Sequence, residues 1–164
     1  MAICNLSDMP ALLKPDQCLL GLDYGSVVIG VAIADPASRV ASPLMGLVRR
    51  KFTQDREVLS QIITERNIGG LILGLPKNMD GTEGPMAQAV RTFASNLMRR
   101  AALPHPNMPI AFWDERFSTA AVTRAMIADD RSRKQRDETV DKAAAAYILQ
   151  GALDALQSMK KESA

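Results

Sequence analysis

Gly69-Gly-Leu-Ile-Leu-Gly74, preceded by Ile68 and followed by Leu75-Pro76, contains no charged or polar side chain. The run is too short for a buried helix, and glycines and a terminal proline punctuate it, so it reads as a strand covered on both faces. Such a strand needs a parallel neighbour and helices above and below its sheet, which commits the chain to an α/β architecture. The flanking sequence agrees. From Thr53 to Arg66, Val58, Leu59, Ile62 and Ile63 recur at helical spacing among charged residues. Beyond a loop from Leu75 to Gly84, the residues Met86, Ala89, Val90, Phe93, Leu97 and Met98 mark a second amphipathic helix, long enough for a right-handed crossover. Ile110 to Trp113 then supplies a further strand, after a connection punctuated by Pro104, Pro106 and Pro109.

Upstream, Cys18–Asp23 and Ile29–Ala34 are apolar runs joined by a tight turn at Tyr24-Gly25, and Ala41–Val48 completes an antiparallel meander. Downstream, Ser118 or Thr119 is placed to cap a third helix running to about Ala128. A polar, basic stretch follows from Asp129 to Arg136, and then a helix from about Glu138 to Ser158, with Asp137 or Thr139 as its cap. The order predicts a mixed five-stranded sheet with helices on both faces. Residues 17–164 form a single domain, and residues 1–16 a flexible extension.

The size, 164 residues with 47% hydrophobic and 23% charged residues, suits one globular domain and excludes a long disordered chain. Two cysteines, Cys4 and Cys18, fit a reducing cytoplasm and exclude a disulfide framework or a zinc cluster. No basic and apolar leader opens the chain, and no apolar run approaches a membrane span. Twenty Lys and Arg against eighteen Asp and Glu leave a net charge of +2, too mild by itself to mark a nucleic-acid binder. Thirteen of the twenty cations are Arg, the side chain that grips phosphate with a planar fork.

Three acids carry the chemistry. Asp23 ends the first strand, where open α/β sheets place ligands, and Asp114-Glu115 end the fifth in the same way. Side chains alternate along a strand, so only one of Asp114 and Glu115 easily faces the site. Asp141 shares a helix face with Ala145 and Ile148, where a carboxylate is costly unless paired or bound to a metal. If the strand ends converge, Asp23, Glu115 and Asp141 make an oxygen-rich site suited to Mg²⁺ or Mn²⁺. Two-metal hydrolysis of a phosphodiester needs no Ser, Cys or His nucleophile.

Four motifs, Gly21-Leu-Asp-Tyr-Gly with Ile29-Gly-Val-Ala, Gly74-Leu-Pro-Lys-Asn-Met-Asp-Gly-Thr-Glu-Gly-Pro, Asp114-Glu-Arg-Phe-Ser-Thr and Val140-Asp-Lys-Ala-Ala, together resemble the YqgF/RuvX family. These are Holliday-junction-resolvase-like proteins also described as pre-16S ribosomal RNA nucleases, and the resemblance covers about Leu19 to Leu156. It implies a ribonuclease H-like fold, with Asp23, Glu115 and Asp141 at the catalytic, metal-binding positions, and a role in maturing the 5′ end of precursor 16S ribosomal RNA. Two departures stand out. Val27-Val28 occupies a turn where members often carry a basic residue, and Ala144 stands where related resolvases have a fourth acid.

Around the acids, Arg131, Arg133, Lys134 and Arg136 crowd positive charge ahead of Asp141 as a backbone-binding hook, with Arg116 beside Glu115. Asn78 and Thr82 in the Gly74–Pro85 loop offer donors to a phosphate. Arg49, Arg50 and Lys51 form a smaller basic cluster. Plainer readings stand beside these: Asp23 as a turn former, Glu115 pairing with Arg116 while Asp114 holds the site, Asp141 meeting a helix dipole, and the loop merely supporting a strand end. Trp113 and Phe117 read as packing, and His105 as surface loop. The expected partner is nucleic acid, precursor rRNA on the family's description, with no membrane contact and a homodimer if junction DNA is cleaved. The alternatives are a junction-cleaving DNA endonuclease, a non-catalytic binding factor in transcription or ribosome assembly, and half of an actin-like ATPase, for which 164 residues are too few.

Overall fold

The computed structural model describes residues 3–35, 39–99, 103–105, 107–117 and 133–163, with the backbone alone at 117, 133–141 and 162–163. Strands β1 (Cys18–Tyr24), β2 (Val28–Asp35) and β3 (Val40–Val48) form the expected antiparallel meander. β4 (Ile68–Leu75) and β5 (Ile110–Asp114) add in parallel, giving the order β3-β2-β1-β4-β5. The apolar run that dominates the sequence is central, and all eight residues of β4 are buried.

Burial on both faces of β4 follows from two separate cores. On one face, α2 (Phe52–Glu65) and α3 (Pro85–Met98) set Leu59, Ile63, Val90, Phe93 and Leu97 against Leu22, Leu71 and Leu73. On the other, α4 (Arg133–Ser163) sets Ala145, Ile148, Leu149 and Ala152 against Leu19, Ile72 and Ala111. Small residues let α4 lie close to the sheet: a methyl group added at Gly21 would fall 2.7 Å from Leu149 Cβ. No helix among the described residues is long and apolar enough to cross a membrane.

Two boundaries differ from the sequence reading. α4 is already helical at Arg133, ahead of the expected start near Glu138, so Asp137 and Thr139 lie inside the helix and do not cap it. Lys134, Gln135, Arg136 and Glu138 are all strong helix formers, and their charge had obscured that propensity. The expected hook is therefore helical at Arg133, Lys134 and Arg136, while Arg131 and the expected helix over Ser118–Ala128 lie outside the described residues.

Of the segment read as a flexible extension, residues 3–16 are packed against the domain. Ile3 bridges Ile110, the Cys4 N–H donates to the Ile110 carbonyl at 2.9 Å, and a short helix, α1 (Met9–Leu12), inserts Met9 fully into the core beneath α4. Ile3, Cys4, Leu6 and Leu13 also pack, partly buried, against the core, but polar and proline residues between them hid these anchors in the sequence. His105 is exposed, as its flanking prolines suggest.

Candidate active site

The register of the sheet brings specific residues to one level. Leu22 pairs with Leu73, so Asp23 stands beside Gly74, and Gly74 in turn pairs with Trp113. Alternation along β1 decides which way Asp23 points. Leu20 and Leu22 enter the α2/α3 core, whereas Leu19 packs toward α4 and Gly21 lies against it, so Asp23 belongs to the α4 face. It is 6% exposed.

Glu115 reaches the same place from the other side of β4. β5 ends at Asp114, and Glu115 opens a single 3₁₀ turn over Glu115–Phe117. Its side chain is also 6% exposed, and its Oε1 lies above Gly74, where an added methyl group would meet it at 2.6 Å and Ile148 Cδ1 at 2.5 Å. Gly74 is thus the floor on which the Glu115 carboxylate and α4 both rest. Two buried carboxylates, from strands flanking β4, occupy one face at the carboxyl end of the sheet, where neighbouring strands lie about 4.8 Å apart.

Position 141 lies on α4 two turns before Ile148 and one before Ala145, both of which are buried against the sheet. The helix therefore runs back from the core toward the end of the sheet that carries Asp23 and Glu115. Among the described residues, no group of three His, Cys, Asp or Glu side chains is assembled as a metal site, and the side chain of Asp141 lies outside that description. The donors that are described fit a hard cation. They are carboxylate oxygens, both buried, and Glu115 Oε1 rests in the space that the missing side chain of Gly74 leaves to it and Ile148.

Asp114 and Arg116 have a different task. Asp114 accepts the Arg116 backbone N–H at 3.0 Å and the guanidinium Nη2–H at 2.7 Å, with Nε also within 3.1 Å of its carboxylate. The guanidinium holds the Asp114 carboxyl below its usual range, chiefly by these hydrogen bonds. Arg116 Nη1 then donates to the Met79 carbonyl at 3.4 Å, tying the β4–α3 loop to the end of β5.

That loop is braced throughout. The Asn78 N–H donates to the Thr82 carbonyl at 2.8 Å, and Asn78 Nδ2 donates to Thr82 Oγ1 at 2.9 Å. The Thr82 N–H and hydroxyl both donate to Asp80, whose carboxyl is lowered mainly by those bonds. At its far end Glu83 takes a bidentate grip from Arg91 of α3, at 2.6 and 2.8 Å. Asn78 and Thr82, read in the sequence as phosphate donors, thus spend these donors inside the loop.

Since the Asp114 carboxyl is depressed in the fold, the stability it contributes is present above the ordinary Asp value of about 3.9 and is lost as pH falls through the lowered one. Arg116→Ala removes the cause while the partial burial remains. Its expected result is a rise in the Asp114 value, read from carboxyl carbon chemical shifts during an acid titration. An unchanged titration curve would show that Arg116 does not set it.

A family model described as RuvX, Holliday junction resolvase, matches residues 17–155. The chain belongs to this family. The "Putative pre-16S rRNA nuclease" of Rhodospirillum centenum is 53% identical over 157 residues, covering 96% of this chain and 84% of that relative. The protein of the same name from Paramagnetospirillum magneticum is 53% identical over 154 residues, covering 94% and 96%. Among solved structures, Thermus thermophilus RuvC (T. thermophilus RuvC in complex with Holliday junction substrate) superposes with a TM-score of 0.52 at 11% identity, over 87% of this chain and 96% of that one. The RuvX chain therefore has the ribonuclease H-like fold, and at that identity the likeness speaks for the fold alone.

Proposed function

We propose that this RuvX protein is a metal-dependent nuclease that hydrolyses phosphodiesters at the 5′ end of precursor 16S ribosomal RNA, with Asp23, Glu115 and Asp141 as the residues that hold Mg²⁺ or Mn²⁺. The observation that carries the reading is the pair of buried carboxylates, Asp23 and Glu115, on one face of the sheet with Gly74 between them. The names of the two 53% identical relatives supply the substrate.

A site of oxygen donors alone selects a hard divalent cation. Bound there, such a cation supplies an activated water and stabilises the charge that develops on the leaving oxygen. The chain's own part is to fix the ligands. Asp23 is held by its pairing with Gly30 of β2 and, one residue earlier, by that of Leu22 with Leu73 of β4, Glu115 by the 3₁₀ turn and the Gly74 floor, and residue 141 by its register on α4. The Asp114–Arg116 pair holds the β4–α3 loop beside them, and Asn78 and Thr82 keep that loop in shape to meet the substrate. Arg131, Arg133, Lys134 and Arg136 add positive charge ahead of Asp141 for the polyanion. Residues 17–164 act as one nuclease domain, working in the cytoplasm where ribosomes are assembled.

The test is incubation of a precursor 16S fragment, a mature-length control and a four-way DNA junction with the full chain, in Mg²⁺ and in EDTA. Cleavage of the precursor alone, and only in Mg²⁺, is expected. Cleavage of the junction instead, with two-fold symmetric nicks, would transfer the same residues to a dimeric DNA resolvase. No cleavage of either substrate in Mg²⁺ or Mn²⁺ would remove the enzymatic reading.

A further inference from the structure

The β1–β2 turn, Gly25 to Val27, is a sharp one. The Gly25 N–H donates to the Val28 carbonyl at 3.0 Å, and a methyl group at Gly25 would strike that oxygen at 2.5 Å. It directly follows Asp23-Tyr24, it is well exposed at Val27, and it has no charged residue of its own. A cation is nevertheless seated on it. Arg49, the first residue after β3, donates its backbone N–H to the Val27 carbonyl at 2.8 Å. Its Nη1 donates to the carbonyls of Gly25 and Ser26, each at 3.0 Å, and the guanidinium lies 4.5 Å from the centroid of the Tyr24 ring. Tyr24 is itself stacked on Phe93, with ring centroids 4.6 Å apart.

Three features set this arginine apart. It is rigid, because two carbonyls and an aromatic face fix the plane of the guanidinium. Its charge is not cancelled, since among the described residues the ion pairs are Arg91–Glu83 and Arg116–Asp114, and no carboxylate pairs with Arg49. Only Nη1 is spent on the turn, so Nε and Nη2 keep their donors. Asp55, which lines the adjoining pocket, turns its carboxylate to the Arg50 N–H at 3.0 Å. That pocket, about 290 Å³, is bounded by Tyr24, Arg49, Phe52, Thr92, Phe93 and Asn96.

We propose that Arg49 is a phosphate-binding residue for the nucleic-acid strand cleaved at Asp23, gripping a backbone phosphodiester where the strand passes over the β1–β2 turn from the α4 face, which carries Asp23, to the α2/α3 face, on which Tyr24 and Arg49 lie. The inference rests on the nuclease reading for the position of the scissile bond. It assigns to the turn a cation that the sequence places more than twenty residues away, in a basic cluster with no evident task. A guanidinium held in plane presents a fork that matches phosphate oxygens, at a smaller ordering cost than a free surface lysine. Arg49 reads no base and no 2′-hydroxyl, so single-stranded RNA and DNA are bound alike through it.

The experiment is fluorescence-anisotropy titration of labelled single-stranded RNA and DNA oligonucleotides against the full chain in Ca²⁺, over a range of salt concentrations. Wild type, Arg49→Gln, Arg49→Lys and a charge control at the opposite end of the sheet, Lys14→Gln, are compared. Arg49→Gln should weaken both ligands roughly tenfold at low salt and reduce the slope of log K against log salt by about 0.7, one phosphate's worth for a single strand. Arg49→Lys should keep the slope with a smaller loss of affinity, and Lys14→Gln should stay close to wild type. A wild-type slope for Arg49→Gln overturns the assignment, whether affinity is kept or lost, because a merely structural arginine would not change the count of phosphates. Failure of the wild type to bind either strand overturns it too. Binding that depends on Arg49 in a protein that never cleaves would leave this assignment standing and remove the nuclease reading.

Discussion

Glu115→Gln and Asp23→Asn are each expected to lower cleavage of a precursor 16S fragment about a thousandfold, the several kcal/mol that a metal site supplies to a transition state. Both substitutions keep the volume and shape of the side chain, so packing around Gly74 is preserved and a cooperative melting transition should remain. A second reading separates lost ligation from lost fold. Mg²⁺ stabilises the wild type by binding the folded state alone, so its melting temperature should rise on titration with Mg²⁺, and neither variant should show that rise. Asp114→Asn serves as the neighbour control. Its carboxylate is committed to Arg116, so the Mg²⁺-dependent rise should survive it even if turnover falls through a loosened loop. Cleavage by both acid variants at the wild-type rate would remove Asp23 and Glu115 from the site.

Legibility differed from element to element for physical reasons. The central strand, the two crossover helices and the meander were readable because each repeats its pattern over at least six residues. A period-based reading needs that length. The N-terminal segment was not, since its packed apolar residues, Ile3, Cys4, Leu6, Met9 and Leu13, sit on or beside a bridge, a 3₁₀ turn and a four-residue helix, and none of these lasts long enough to show a period. The start of α4 was misplaced because Arg133 to Glu138 read as a charged stretch, although the same side chains favour helix.

Within the site, alternation required that Asp114 and Glu115 point apart but could not say which faced α4. The 3₁₀ turn that begins at Glu115 breaks the strand period at that very residue, and only the three-dimensional register shows the Glu115 oxygen above Gly74. Arg49 was visible as charge, yet its seat on a turn more than twenty residues earlier is a tertiary contact, and no local pattern encodes it. Asn78 and Thr82 were legible as donors. Where a loop donor points is decided by turn geometry, and here the Asn78 amide donates to Thr82 and the Thr82 hydroxyl to Asp80.

Gly74→Ala tests the floor of the site, because a single methyl group meets two different neighbours. Its distance of 2.5 Å to Ile148 Cδ1 lies well inside van der Waals contact and forces α4 or the side chain to shift, at a cost of about 1–3 kcal/mol in the denaturant midpoint. Its distance of 2.6 Å to Glu115 Oε1 forces the carboxylate from its place, which should cost activity independently of stability. The double variant Gly74→Ala/Ile148→Val separates the two. Valine lacks the δ-methyl, so the sharpest contact with α4 disappears and the double variant should be less destabilised than the sum of its single changes. Nothing in that second substitution returns room to Glu115, so cleavage and Mg²⁺-induced stabilisation should stay impaired. Recovery of stability without activity is the expected signature of a glycine placed for a carboxylate as well as for a helix. If activity returns in step with stability, Gly74 is there for the packing of α4 alone, and the argument that places the Glu115 carboxylate in the site loses its support.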